Sequence, residues 1–167
     1  MKATPLETAL IANAPDAVIF ADGAGVIRVW HHGAEALFGY SAAAAIGHTL
    51  DLIVPEPSRP AHWAGFARAV QQGRFTKDAV LQTSRAFTKD GRTIVVELAA
   101  AMIWSPSGQV QGIMAVGRDV TERRAREQAQ RAHIAHLEQQ VAALTELSVE
   151  TGEGGNASSG GGMESRP

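Results

Sequence analysis

The chain has 167 residues, room for one domain of the usual ~100–150 residues and an appendage. Hydrophobic residues make up 45% and aromatics only 5%, so a core must be filled mainly by Ala, Val, Ile and Leu. A formal net charge of −2 gives no basic footprint for nucleic acid or an anionic membrane, and the absence of cysteine excludes disulfides, thiolate metal sites and cysteine nucleophiles.

The first residues carry one Lys and an apolar stretch interrupted by Asn13, Pro15 and Asp16, unlike a signal peptide. No stretch approaches the ~20 apolar residues of a membrane span. A cytoplasmic protein is expected. Pro5–Ala14 reads as an amphipathic helix with Leu6, Ala9, Leu10 and Asn13 at helical spacing, the main part of an N-terminal cap over residues 1–16. The apolar runs at 17–21 and 26–30 flank Asp22-Gly23-Ala24-Gly25, a β-hairpin pattern.

The middle is helical and broken. Gly33–Gly39 makes a short helix, Ser41 is placed to cap Ala42–Ile46, and Pro55, Pro57 and Pro60 follow. Pro60 suits the first turn of a helix that Gly73 ends, with Trp63, Phe66, Ala67 and Val70 as its inner face. Three strands come next: Ala79–Phe87, Thr93–Trp104 after the Thr88-Lys89-Asp90-Gly91 turn, and Val110–Arg118. Two strands, a helical middle and three strands predict an α+β domain over 17–120. Its five-stranded antiparallel sheet is covered on one face by helices, with a ligand cavity between.

Residues 121–150 contain no Gly or Pro and are rich in helix formers. Ile134, Leu137, Val141 and Leu144 step by the a/d rhythm of a coiled coil, which predicts a dimerising helix and a homodimer. Residues 151–167 are Gly/Ser-rich and read as a disordered tail.

With these elements in order, the chain resembles the PAS family from about Leu6 to Arg124. The resemblance is carried by APDAVIFADGAGVIRVWHHGAEALFGYS, by TKDGRTIVVELAA, and by the ending GRDVTERR. It implies a PAS fold and a signal-sensing module that passes its state to a downstream signalling protein. Asp119 and Thr121 match the D-x-T motif, and are implied to bond backbone groups where strand becomes helix and to transmit the signal.

Within the family, Pro55-Glu56-Pro57-Ser58-Arg59-Pro60-Ala61-His62 resembles the stretch before the proximal histidine of the haem-binding oxygen sensors of the FixL type. That resemblance implies haem b with His62 on the iron. Phe66 follows one turn later, and Val80, Leu98, Ala100 and Met102 supply an apolar wall. The family's distal arginine falls at Gln82, which can still donate a hydrogen bond but carries no charge, and a second family histidine is replaced near Thr76.

Two other readings stay open: a PAS domain holding a different small molecule, and a ligand-free dimerisation adaptor. A flavin used without cysteine photochemistry would call on Trp30 or Trp104 for stacking. The resemblance places His31 where a side chain bonds the local backbone. His48 reads as a loop residue, and His133 and His136 as solvated helix positions without a third metal ligand. No P-loop or Rossmann glycine pattern and no kinase motif is present, so an enzyme is not expected.

Overall fold

The computed structural model describes residues 4–75 and 81–152. Helix α1 (Pro5–Ala12) opens on a capping box that its sequence encodes in T-P-L-E. Thr4 Oγ1 accepts from the Glu7 N–H and the Glu7 carboxylate accepts from the Thr4 N–H. The helix stops at Ala12, two residues before the expected end, with Asn13 as its C-cap. None of its residues is buried; Leu6, Leu10 and Ile11 are all exposed.

Strands β1 (Ala17–Asp22) and β2 (Ile27–Trp30) form the expected hairpin. Asp22 builds its turn by accepting from the Ala24 and Val26 N–H groups through Oδ1, both at 3.0 Å. Helix α2 (His32–Phe38) follows at once and helix α3 (Ala42–Ala45) after a short link. Ser41 makes no side-chain capping bond to α3. Glu35 takes that role instead, its carboxylate accepting from the Ala42 N–H.

Helix α4 (Arg59–Gln72) has Pro60 in its first turn and ends at Gly73 in the left-handed region, φ +63°. Its buried residues are Phe66 and Ala69, while Ala67, expected on the inner face, is exposed. The inward stripe therefore follows His62, Phe66, Ala69 and Gly73, at steps of four, three and four. Gly73 must lack a side chain, because a Cβ there would lie 2.5 Å from the Trp104 ring.

Strands β3 (Leu81–Phe87), β4 (Thr93–Trp104) and β5 (Val110–Asp119) complete an antiparallel sheet in the order β2-β1-β5-β4-β3. β5 runs between β1 and β4, pairing Ala21 with Ile113 on one side and Leu98 with Gly117 on the other. The β-strand bounds of β4 are those of its apolar run. Residues 76–80, which include the first two positions of the expected third strand, lie outside the described residues.

The core gathers where α2 and α3 close over β1 and β2. Phe38 and Ile27 are fully buried, and Trp30 packs on Phe38 at 5.4 Å between ring centroids while its indole N–H donates to Tyr40 O at 2.9 Å. Burying side chains of that size stabilises by about 1.5–3 kcal/mol each.

The β3–β4 turn is held by its own side chains. Thr88 Oγ1 donates to Asp90 Oδ1, and Arg92 Nε donates to Asp90 Oδ2 at 2.7 Å. The Thr88 hydroxyl first, and Arg92 second, push the Asp90 carboxyl down to about 2. A group so lowered favours the fold above the ordinary carboxylate value and loses that contribution as pH falls toward about 2. A carboxyl-shift titration by NMR is expected to find the Asp90 midpoint near 2, and Thr88→Ala to move it up toward the ordinary carboxylate value. An unmoved midpoint in that variant would remove Thr88 as the cause.

The chain divides into two compact units, 1–124 and 125–167. Helix α5 (Thr121–Gly152) starts in the first and extends through Gly152, beyond the expected boundary at 150. Within the second unit Ile134, Leu137, Val141 and Leu144 are exposed. Residues 153–167, most of the expected tail, lie outside the described residues. Among the described residues no helix is long and apolar enough to cross a membrane.

Candidate functional site

Antiparallel strands direct alternate side chains to one face, and here that face walls a cavity of about 440 Å³. This lies within the ~300–1,000 Å³ range of small-molecule sites. Ile19 and Ala21 come from β1, Ile113 and Ala115 from β5, Val96, Leu98 and Ala100 from β4, and Gln82, Ser84 and Ala86 from β3. The opposite wall is α4, which contributes His62, Gly65, Phe66, Arg68 and Ala69. Many of these residues are alanine or glycine. The scarcity of aromatics in the composition thus leaves space where bulkier side chains would have closed the core.

His62, Phe66, Gln82, Leu98 and Ala100 are brought together around this space. Gln82 and Leu98 are direct cross-strand partners, so amide and isobutyl group stand side by side. Met102 is not among the lining residues; the wall passes from Ala100 to Ile113 on the neighbouring strand. Val80 and Thr76 lie outside the described residues. Neither Trp30, sealed into the core by Phe38, nor Trp104, which covers Gly73, lines the cavity.

His62 is the chemically distinctive group. Its Nε2 is buried and has no hydrogen-bond partner among the described residues. Burial pushes its pKa down, and the nearby Asp51 carboxylate opposes this without reversing it. The imidazole is thereby held neutral, with a lone pair or an N–H and nothing from the protein to receive it. Leaving such a group unsatisfied costs about 1–3 kcal/mol, a cost that a ligand can remove. The ring is flanked by Trp63 at 5.1 Å, edge-on, and by Phe66 at 6.2 Å.

His31 differs. It caps α2, with Nδ1 accepting from the Gly33 N–H at 3.2 Å, and does not line the cavity. Among the described residues no cluster of three or more His, Cys, Asp or Glu could hold a metal ion. An iron held by a single imidazole and a macrocycle does not need such a cluster. The donor available, the imidazole of a histidine that lines an apolar cavity, is of the kind that fits haem.

Several cavity residues were not singled out from sequence. Arg68 and Arg74 both line the space, and their guanidinium groups make no ion pair among the described residues. Ser84 stands two residues from Gln82 on the same face of β3, a period-two relation that could have revealed it.

At the far end of the sheet, Asp119 Oδ1 accepts from the Thr121 N–H at 2.7 Å, and Thr121 Oγ1 accepts from the Val95 N–H at 2.8 Å. The Val120 N–H donates to Val95 O at 2.8 Å. The first turn of α5 is thus tied to β4, and Arg123 adds an ion pair to Glu97 at 2.6 Å.

Comparison with known proteins agrees with this architecture. The profile of the PAS fold family matches residues 11–125. The sensor protein FixL of Bradyrhizobium diazoefficiens is 30% identical over 144 residues, which cover 84% of this chain and 26% of FixL. The chain thus spans about a quarter of that relative's length. Among solved structures, an RNA-binding light-oxygen-voltage receptor superposes with a TM-score of 0.63 at 26% identity, over 82% of this chain and 38% of the receptor. The PAS domain of a Colwellia psychrerythraea protein gives 0.60 at 24% identity, over 70% and 96%. With a sheet of this strand order, a cavity walled by one long helix, and a profile match across both, the chain belongs to the PAS family as a sensory module related to FixL.

Proposed function

We propose that the cavity holds haem b, with His62 Nε2 as the iron ligand, and that the chain senses a diatomic gas or a redox change. The observation that carries this reading is that His62 lines an apolar cavity and has a buried Nε2 with no partner among the described residues. When bound, haem iron supplies an open coordination position and a one-electron couple. The chain's own residues do the rest. Burial disfavours the charged form of His62 and so favours the neutral imidazole that an iron would need. Leu98 and Ala100 would give the bound group an apolar wall, and Gln82 would offer an uncharged amide donor beside them. Arg68 and Arg74, which line the same space, would supply cations for the carboxylates of a bound macrocycle.

The output runs from the cavity wall to α5. Leu98 on β4 pairs with Gly117 on β5, two residues before Asp119. A shift of either strand alters the Asp119–Thr121–Val95 bonds that set the start of α5. Two α5 helices joined along Ile134, Leu137, Val141 and Leu144 would form the bistable element, and a downstream signalling protein would read it.

A different small molecule is the second reading, favoured by the paired neutral donors Gln82 and Ser84 on one wall. Thermal melting separates the two. Haemin at a hundredfold over its Kd should stabilise the fold by about 2.7 kcal/mol, a shift of several degrees. A melting curve unmoved by haemin but raised by a co-purifying metabolite would replace haem with that molecule.

A further inference from the structure

We infer that Trp63 is the positioning residue of this site, setting the rotation of α4 and so the direction in which His62 faces the cavity; this rests on His62 being the iron ligand. Four contacts carry the inference. The indole N–H of Trp63 donates to Asp51 Oδ1 at 2.8 Å, in the segment before α4. Its six-membered ring lies against the β1–β2 turn at Gly25, so closely that a Cβ there would stand 2.2 Å from Cζ3. Its face or edge meets Phe66 at 5.6 Å and His62 at 5.1 Å.

Gly25 sits at φ +80°, so the turn uses the left-handed region and the absence of a side chain together. Asp51 is itself held in place. Arg59 Nη2 donates to its backbone carbonyl at 3.0 Å, and Arg59 Nε lies 3.4 Å from Oδ1. The Trp63 indole is therefore fixed at both ends, by a turn that admits only its ring and by an acceptor anchored through the main chain.

The leverage follows from how few contacts orient the helix, Trp63 against Gly25 near its start and Gly73 against Trp104 at its end. α4 buries only Phe66 and Ala69, so broad apolar packing does not decide its rotation. Residues 62 and 63 are successive on a helix and point about 100° apart about its axis. Any rotation that released Trp63 from Asp51 and Gly25 would turn His62 by the same angle. Removing a hydrogen-bonded outer-shell partner of a metal-ligating histidine typically costs about 10–100-fold in affinity, and for this edge-on packing partner the low end of that range is expected.

The test compares the wild-type 167-residue chain with Trp63→Phe, Asp51→Ala, Asp51→Asn and the Trp63→Phe/Asp51→Ala pair. Haemin affinity is read from the Soret band, the iron–imidazole vibration of the reduced complexes by resonance Raman, and apo-protein melting alongside. Trp63→Phe and Asp51→Ala are expected to weaken haemin at least tenfold and to shift the vibration. Asp51→Asn keeps an oxygen acceptor for the indole and should recover most of the affinity. The pair should be no weaker than the poorer single variant, since both remove one contact. Where Trp63→Phe does not fold, the contrast between Asp51→Ala and Asp51→Asn decides. Affinity within twofold of wild type with an unshifted vibration in Trp63→Phe overturns the role of Trp63 and leaves His62 in place. Wild-type protein that takes up no haemin, or takes it up without His62, overturns the haem reading and the positioning role with it.

Discussion

A His62→Ala chain is expected to lose haemin affinity by a hundredfold or more, about 2.8 kcal/mol, while keeping its fold. The size follows from what is removed. His62 brings the buried imidazole nitrogen, and no cluster among the described residues offers a second set of metal-binding side chains. The fold should survive because His62 is not part of the principal core, which lies under α2 and α3 around Phe38, Ile27 and Trp30. Truncation also removes an unsatisfied buried polar atom, which offsets part of the lost packing against Trp63 and Phe66. The check is a haemin titration with circular dichroism on the same samples. A native spectrum with haemin uptake unchanged would take His62 out of the site.

The second large effect concerns assembly. Leu137→Asp combined with Leu144→Asp is expected to convert a dimer into monomers in light scattering at micromolar concentration. Both leucines are exposed in the single chain, on a helix whose apolar residues recur at steps of three, four and three. Burying a leucine contributes about 1.5–3 kcal/mol. Two per chain, in both chains, make a loss of about 6 kcal/mol or more, some four decades in Kd. Haemin binding should be retained, because neither residue lines the cavity. A double variant that stayed dimeric would move the interface to the first unit, where α1 leaves Leu6, Leu10 and Ile11 exposed.

Much of the fold was legible because its signals are local. The bounds of β4 follow from a β-rich run between two turn sequences, Thr88-Lys89-Asp90-Gly91 and Pro106-Ser107-Gly108. The hairpin follows from Asp22 and its glycines, and α4 from Pro60 and Gly73. The site was legible in part. His62, Phe66, Gln82, Leu98 and Ala100 do converge, since strand alternation and one helical turn suffice to place them.

What escaped depends on tertiary contact. Glu35, seven residues from Ala42, supplies the bond that Ser41 was placed to make. Asp51 and Trp63 meet across twelve residues and a proline-rich bend, with no periodic pattern to link them. The inner face of α4 was misread by one position at Ala67. Its orientation is set by Trp63 against Gly25 and by Gly73 against Trp104, contacts that no helical wheel contains. Met102 shares a strand face with Leu98 and Ala100, yet the cavity wall turns to Ile113 before reaching it.

The central claim is tested most directly by absorption spectroscopy of the purified 167-residue chain, before and after haemin, oxidised and dithionite-reduced, with and without carbon monoxide. The account predicts a sharp Soret band that moves on reduction and again with carbon monoxide, and that is lost in His62→Ala. A spectrum showing only free haemin, identical in wild type and His62→Ala, would contradict it.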